Sequence, residues 1–334
     1  MKKPFRILVV GPSWAGDMVM AQSLFITLKN ARPDCEIDVL APSWSFSLLE
    51  RMPEVAKAIA MPLAHGQFGL TDRFKLGQKL RAESYDQAIV LPNSWKSALI
   101  PYFAAIPVRT GYIGECRWGL LNDARKLDKT VLTMTVQRFV ALGLPGSAPL
   151  PPKYPIPSLV INQHQQQGVI AKFALTPSEK ILALCPGAEY GAAKRWPASY
   201  YAEVARHKID QGWQVWLFGS DKDNEAAEQI NSEADGRCID FTGRTSLAEA
   251  VDLMSLAAVV VTNDSGLMHV AAALDKKIIA LYGSSDPRFT PPLNAKARVI
   301  SLHLECSPCF KRECPLGHTQ CLTGIKPAQV INVI

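Results

Sequence analysis

Four polar segments, each following an apolar run, carry the residue types from which a reaction could be built. The first is Gly11-Pro-Ser-Trp-Ala-Gly-Asp17, two glycines and a carboxylate ahead of a helical pattern that begins near Asp17. A phosphate loop would place a lysine and a hydroxyl residue where this chain has Asp17 and Met18, and a carboxylate there repels a polyphosphate. A carboxylate at the mouth of a glycine loop can instead take a proton from a substrate hydroxyl that the glycines allow to come close. Asp17 is therefore a candidate general base, against the alternative that it caps the helix and favours its dipole.

The second segment, Gly187-Ala-Glu-Tyr-Gly-Ala-Ala-Lys194-Arg195-Trp196-Pro197, places paired cations directly before a proline-started helix. Cations together with free helix N–H groups suit a phosphate, and a solvated Lys-Arg pair is the bland alternative. The third segment, Asn263-Asp-Ser-Gly266, leads into a helix on which Ser265 and His269 share a face. Its backbone amides could bind a diphosphate oxygen, with Asp264 on sugar hydroxyls and His269 on the phosphate or sugar ring; a lone histidine there is otherwise a satisfied core residue. The fourth, Phe218-Gly-Ser-Asp-Lys-Asp223, offers Asp223 as an acidic partner for a ribose.

These segments need strands and helices to hold them. Short apolar runs that read as buried strands occur at 6–11, 36–40 and 86–91, then at 180–187, 213–220, 257–266 and 276–283, with helical stretches between. Such alternation implies α/β architecture with parallel sheets covered by helices on both faces. Six prolines between 145 and 157 suit neither helix nor central strand and read as a linker, giving domains at 1–150 and 151–334. Ligands of two such units belong at the carboxyl ends of the strands, facing a central cleft.

At 334 residues the chain exceeds the usual size of one core, and 48% hydrophobic residues can fill two. It has neither a long apolar span nor a signal-peptide pattern at its start, so a cytoplasmic protein is expected. The net charge of +6 lies wholly in residues 1–150, where 18 Lys and Arg face 12 Asp and Glu. Either this portion meets something anionic, or the excess is ordinary surface variation. The dinucleotide fingerprint of a nicotinamide oxidoreductase is missing, while a nucleotide-sugar sensor is compatible with the layout.

Taken together, the segments GPSWAGDMVMAQSL, LAPSWSFSLLERMPEV, VLPNSWKSALIPYFAAIPVRTGY, GLLNDARKLD, CPGAEYGAAKRWP, VTNDSGLMHVAAAL and LYGSSDPRFTPP resemble glycosyltransferase family 9, the ADP-heptose:lipopolysaccharide heptosyltransferases, over essentially the whole chain. The resemblance implies a GT-B fold of two Rossmann-like domains and an inverting, metal-independent transfer of L-glycero-D-manno-heptose from ADP-heptose. The implied acceptor is heptosyl-Kdo2-lipid A, with the first heptose transfer or a nucleotide-binding oxidoreductase or sensor as alternatives. It also implies no cofactor, no nucleic-acid partner, and peripheral contact with the cytoplasmic face of the inner membrane. Position by position, Asp17 matches the family's base and Lys194 the lysine that steadies the leaving diphosphate. Asp223 matches a ribose ligand, and Asp264, Ser265, Gly266 and His269 match the D-[ST]-G-L-x-x-H donor segment. Glu189 and Tyr190 stand where first-transfer enzymes carry hydroxyl residues, so backbone amides substitute there. Lys96, Arg109, Arg117 and Arg125 are the candidate contacts for the acid groups of the acceptor.

Four of the eight cysteines, Cys306, Cys309, Cys314 and Cys321, cluster with His318. They suffice for tetrahedral zinc, but the irregular spacing favours reduced thiols or a disulfide formed on oxidation, and the resemblance implies a transfer that needs no metal. Cys35, Cys116, Cys185 and Cys238 are scattered singly and read as reduced structural thiols.

Overall fold

The structure, a computed structural model, describes residues 3–64 and 66–334. Met1 and Lys2, part of the N-terminal segment read above, lie outside them. The chain divides into two compact units, Met1–Pro157 and Ser158–Ile334.

The first unit holds strands β1 (Arg6–Val10), β2 (Glu36–Ala41), β3 (Val55–Ala60), β4 (Gln87–Val90), β5 (Val108–Tyr112) and β6 (Asp123–Arg125). They form one parallel sheet in the order β3-β2-β1-β4-β5-β6. After Arg6, central β1 is apolar because both faces are covered, and Leu8 and Val10 join Leu40, Ala88, Val90 and Ile100 in one core. The helix Ala15–Ala31 packs on the helix Thr135–Gly143.

The second unit repeats this arrangement with β7 (Ile181–Cys185), β8 (Gln214–Leu217), β9 (Ile239–Asp240), β10 (Val259–Asn263), β11 (Lys277–Tyr282) and β12 (Ala297–Ser301). The order β12-β11-β10-β7-β8-β9 is the same one read from the other edge, again all parallel. Its core gathers Leu182, Leu184, Trp196, Tyr201, Val215, Val261 and Ile279. In both units the chain reverses direction across the sheet beside the first strand, between β1 and β4 and between β7 and β10. Loops leaving a parallel sheet at such a point diverge, and the crevice between them is where ligands bind.

All seven strand-like runs of the sequence are strands here. Five others, β3, β5, β6, β9 and β12, give weak sequence signals because they lie at or beside sheet edges. β3 (VAKAIA), for example, leaves much of its length in solvent and carries Lys57, so no continuous apolar run marks it. The proline-rich stretch belongs to the first unit as far as Pro157 rather than parting from it at 150. It is tied down, with the Ser23 hydroxyl donating to the Pro155 carbonyl at 2.7 Å and the Tyr154 hydroxyl donating to the Met134 sulfur at 3.6 Å. Pro197 is the cap of the helix Ala198–Asp210 rather than its first residue. Among the described residues no helix is long and apolar enough to cross a membrane.

Candidate functional site

At the crevice of the second sheet, the loops after β7 and β10 meet through side chains. Lys194 ends a single 3-10 turn, Ala192–Lys194, and its ammonium donates to Asp264 Oδ2 at 2.5 Å. The Asp264 side chain is only 6% exposed, so its charge is stabilised chiefly by that lysine. Behind the pair, Asn263 stitches the loops together. Its Oδ1 accepts from the Trp196 backbone and the Tyr201 hydroxyl, both at 3.1 Å, while its Nδ2 donates to the Pro186 carbonyl at 2.6 Å. Trp196 is fully buried, with its ring 4.8 Å from that of Tyr201, and this anchors the residues next to Lys194. Sequence reasoning noticed Asn263 only as part of a turn; its role depends on contacts 62 and 77 residues away.

Ser265 is the cap residue of the helix Gly266–Ala273 but makes no side-chain cap hydrogen bond, and the first amides of a helix have no partner within it. Burial pushes the His269 imidazole from 6.5 down to about 4, against the pull of Asp264, with Lys194 adding to the fall. His269 is therefore neutral at pH 7 and can offer a hydrogen bond but no charge. The depressed value has a stability consequence. Between pH 6.5 and 4 the unfolded chain holds a proton on this ring that the folded protein refuses, so stability is full above pH 6.5 and falls as pH drops toward 4. Acidification from pH 7 to pH 5 is expected to cost about 1–2 kcal/mol through this group. Urea midpoints of wild type and His269→Asn across that range check it; parallel slopes would show that His269 is not responsible.

Asp223 occupies a different environment from a free ribose ligand. Its Oδ2 accepts from the Ser220 backbone at 3.0 Å and the Ser220 hydroxyl at 2.8 Å, and its Oδ1 faces Arg195 at 3.5 Å. The carboxylate lies so close to Gly187 that a Cβ there would come within 2.5 Å of it, which is why the loop after β7 carries glycine. Asp223 thus holds two strand exits in register. Glu189 is exposed and pairs with Lys222 at 2.5 Å, while the Tyr190 hydroxyl donates to the Phe310 carbonyl at 2.8 Å.

In the first unit, Asp17 is not the cap. The helix begins at Ala15 with Trp14 as its cap residue, so Asp17 stands in the first turn, half-buried, where the helix dipole favours an ionised carboxylate. The loop that precedes this helix, together with the exit of β4, borders a cavity of about 820 Å³ lined by Gly11, Ser13, Trp44, Phe68, Trp95 and Lys96, among others, though not by Asp17 itself. The rings of Phe68 and Trp95 lie 5.1 Å apart on its wall. The Lys96 ammonium, also on this wall, donates to the carbonyls of Gly66 at 3.0 Å and Gln67 at 3.4 Å. Trp44 and Trp95 were legible as tryptophans in polar strand exits, but single aromatic residues carry no periodicity that would single them out.

The other three basic residues do not join Lys96. Arg117 is 1% exposed and donates to the carbonyls of Pro92 and Tyr112, and burial lowers its pKa to about 10. Arg125 holds Asp123 through two nitrogens, at 2.7 and 3.2 Å, and donates to the Ala141 and Leu144 carbonyls at the end of the helix Thr135–Gly143. Arg109 donates to Leu120 at 2.7 Å and Ile106 at 2.5 Å. All three donate to backbone carbonyls of the fold, a use of arginine that charge counting cannot separate from ligand binding.

The four clustered cysteines carry free thiols and share a small cavity of about 20 Å³ with His318 and Ala193. Among the described residues, no group of three or more His, Cys, Asp or Glu side chains is arranged to hold a metal ion. Cys35, Cys185 and Cys238 are buried thiols, whereas Cys116 is exposed.

Comparison with known proteins follows the same lines. The family glycosyltransferase family 9 (heptosyltransferase) matches residues 73–320. The lipopolysaccharide heptosyltransferases 2 of Salmonella typhimurium LT2 and Escherichia coli K12 are each 49% identical over 98% of this chain and 97% of their own. The structure of E. coli ADP-heptose lps heptosyltransferase II superposes with a TM-score of 0.87 at 46% identity, covering 98% of this chain and 97% of the other. An E. coli heptosyltransferase with ADP shares the fold at 18% identity and a TM-score of 0.72. With two six-stranded parallel sheets of GT-B type, a polar crevice in the second and near-full-length similarity to these enzymes, the chain belongs to glycosyltransferase family 9, the heptosyltransferases.

Proposed function

We propose that this protein is a lipopolysaccharide heptosyltransferase of the second type, transferring L-glycero-D-manno-heptose from ADP-heptose to heptosyl-Kdo2-lipid A with inversion. The observation that carries the reading is the Lys194 ammonium, held by the nearly buried Asp264 at the crevice of a parallel sheet beside the helix Gly266–Ala273. A fixed ammonium beside a helix N-terminus is part of what a departing nucleoside diphosphate needs, and it stands in a chain 49% identical to two enzymes of that name.

The mechanism is one in-line displacement at the anomeric carbon. Asp17 takes the proton of the acceptor hydroxyl as its oxygen bonds to that carbon, and the bond to the diphosphate breaks on the opposite face. Lys194 and the first amides of the helix Gly266–Ala273 meet the charge that develops on ADP, in place of a metal ion. Asp264 aims the lysine, and its other oxygen is left for a heptose hydroxyl. Neutral His269 adds a hydrogen bond to the sugar or phosphate, Ser265 lends its hydroxyl, and the main chain at Glu189 and Tyr190 contributes amides. Asp223 shapes the ribose end of the site by holding Gly187 and Ser220 in place.

On the acceptor side, Lys96 and the aromatic wall of the 820 Å³ cavity suit a sugar bearing acid groups. Because the acceptor is anchored by lipid A, the protein works against the cytoplasmic surface of the inner membrane without entering it. Incubation with ADP-heptose and heptosyl-Kdo2-lipid A is expected to add one heptose mass to the acceptor and release ADP, followed by mass spectrometry. An acceptor left unchanged, or modified equally well when it lacks its first heptose, would overturn the assignment.

A further inference from the structure

Lys194 cannot by itself balance the donor's diphosphate, because its charge is already matched by Asp264 at 2.5 Å. Its neighbours are matched as well, Arg195 by Asp223 at 3.5 Å and Lys222 by Glu189 at 2.5 Å. The cations around the loop after β7 therefore come with their own carboxylates. A diphosphate carries a negative charge on each phosphate, and the ADP that leaves carries one more. Stabilising it calls for a cation without an internal counter-ion.

One such group lies against the loop. Between β12 and the short helix Gln320–Thr323 the chain runs without regular structure and folds over the segment that carries Lys194. Three hydrogen bonds to its backbone fix it there. The Phe310 amide donates to the Ser284 carbonyl at 2.7 Å, the Phe310 carbonyl accepts from Tyr190, and the Arg312 carbonyl accepts from the Ala193 amide at 2.9 Å. The approach is so close that a Cβ on Gly191 would come within 2.3 Å of the Arg312 carbonyl oxygen.

The Arg312 side chain, exposed on this segment, brings its guanidinium carbon 5.4 Å from the centre of the Tyr190 ring. Lys194 Nζ lies 5.1 Å from the centre of the same ring. A ring attracts a cation without cancelling its charge, so this contact orients Arg312 and leaves it able to bind an anion. Among the described residues no carboxylate pairs with Arg312, in contrast to Lys194, Arg195 and Lys222.

We infer that Arg312 is a second cationic ligand for the donor's diphosphate, supplied by the segment that folds over the Lys194 loop. Its planar fork of N–H donors can engage two phosphate oxygens at once, which a lysine cannot. The inference rests on ADP-heptose being the donor. It also gives the overlying segment a purpose, since its backbone positions the loop while one side chain supplies uncompensated charge.

Calorimetric titration of ADP and AMP into the full-length wild type, Arg312→Gln and Lys311→Gln tests it. Substitution at 312 keeps the carbonyl that holds Ala193, so the scaffold survives. Arg312→Gln is expected to weaken ADP about tenfold and to leave AMP within about twofold, while Lys311→Gln, an adjacent exposed cation, matches wild type. Unchanged ADP affinity in Arg312→Gln would overturn the inference. So would equal losses of ADP and AMP, which would indicate damage to the loop, or an equal loss in Lys311→Gln, which would indicate a diffuse field. Heptose transfer by the wild type is measured in parallel. If transfer occurs and Arg312→Gln binds ADP normally, Arg312 alone is removed from the site; if the wild type fails to transfer, the donor assignment falls instead.

Discussion

Asp17→Asn is expected to lower heptose transfer about a thousandfold while ADP-heptose binds within about twofold of wild type. Asparagine keeps the size and most of the hydrogen bonding of the side chain but cannot accept the acceptor's proton. Position is compatible with the role, since Asp17 sits half-buried in the first turn of the helix Ala15–Ala31, where the dipole favours a negative charge. The competing reading, a carboxylate that merely favours its helix, makes a different forecast. Loss of that interaction costs about 0.3–1 kcal/mol of stability and nothing in turnover. Steady-state product formation, with thermal unfolding alongside, separates the two. Turnover within a few-fold of wild type would remove Asp17 from the chemistry.

Lys194→Ala is expected to reduce kcat/KM about 100- to 1000-fold, with donor affinity and rate falling together. It also leaves Asp264 as a nearly buried carboxylate without its 2.5 Å partner. That should destabilise the second unit by about 2–3 kcal/mol. The two effects can be told apart. Adding Asp264→Asn to Lys194→Ala removes the orphaned charge, so stability should recover while transfer stays low. If the double variant regains activity, Lys194 acts only by neutralising Asp264; if donor affinity in Lys194→Ala is unchanged, it does not meet the diphosphate. Chemical denaturation and donor titration of the four proteins complete the cycle.

These outcomes bear on how far residue types and spacing lead. Asp17, Lys194, Asp264 and His269 stand out as candidates because each sits just beyond an apolar run or in the helix that follows it, and parallel sheets deliver such positions to one edge. What spacing could not show is that Lys194 and Asp264, seventy residues apart, are partners. Nor could it show that Asp223 is occupied by Ser220 and Arg195, or that Asn263 ties two loops together. The basic residues illustrate the difficulty most clearly. Lys96, Arg109, Arg117 and Arg125 look alike as charges, yet only Lys96 lines the large cavity. An arginine that satisfies buried carbonyls and one that meets a substrate differ only in which backbone groups the fold leaves unpaired around them.

The sequence by itself determined the α/β class, the central strands, the strand exits that carry the polar residues and the family. All of these follow from local apolar patterning and contiguous motifs, which depend on neighbours in the chain. Tertiary structure alone decided the edge strands, the pairing of Lys194 with Asp264, the neutral state of His269, the aromatic cavity beside the Asp17 loop and the approach of Arg312 to Tyr190. Each of those arises from groups distant in the chain brought within a few ångströms, where burial and charge act through space and leave no periodic trace in the sequence.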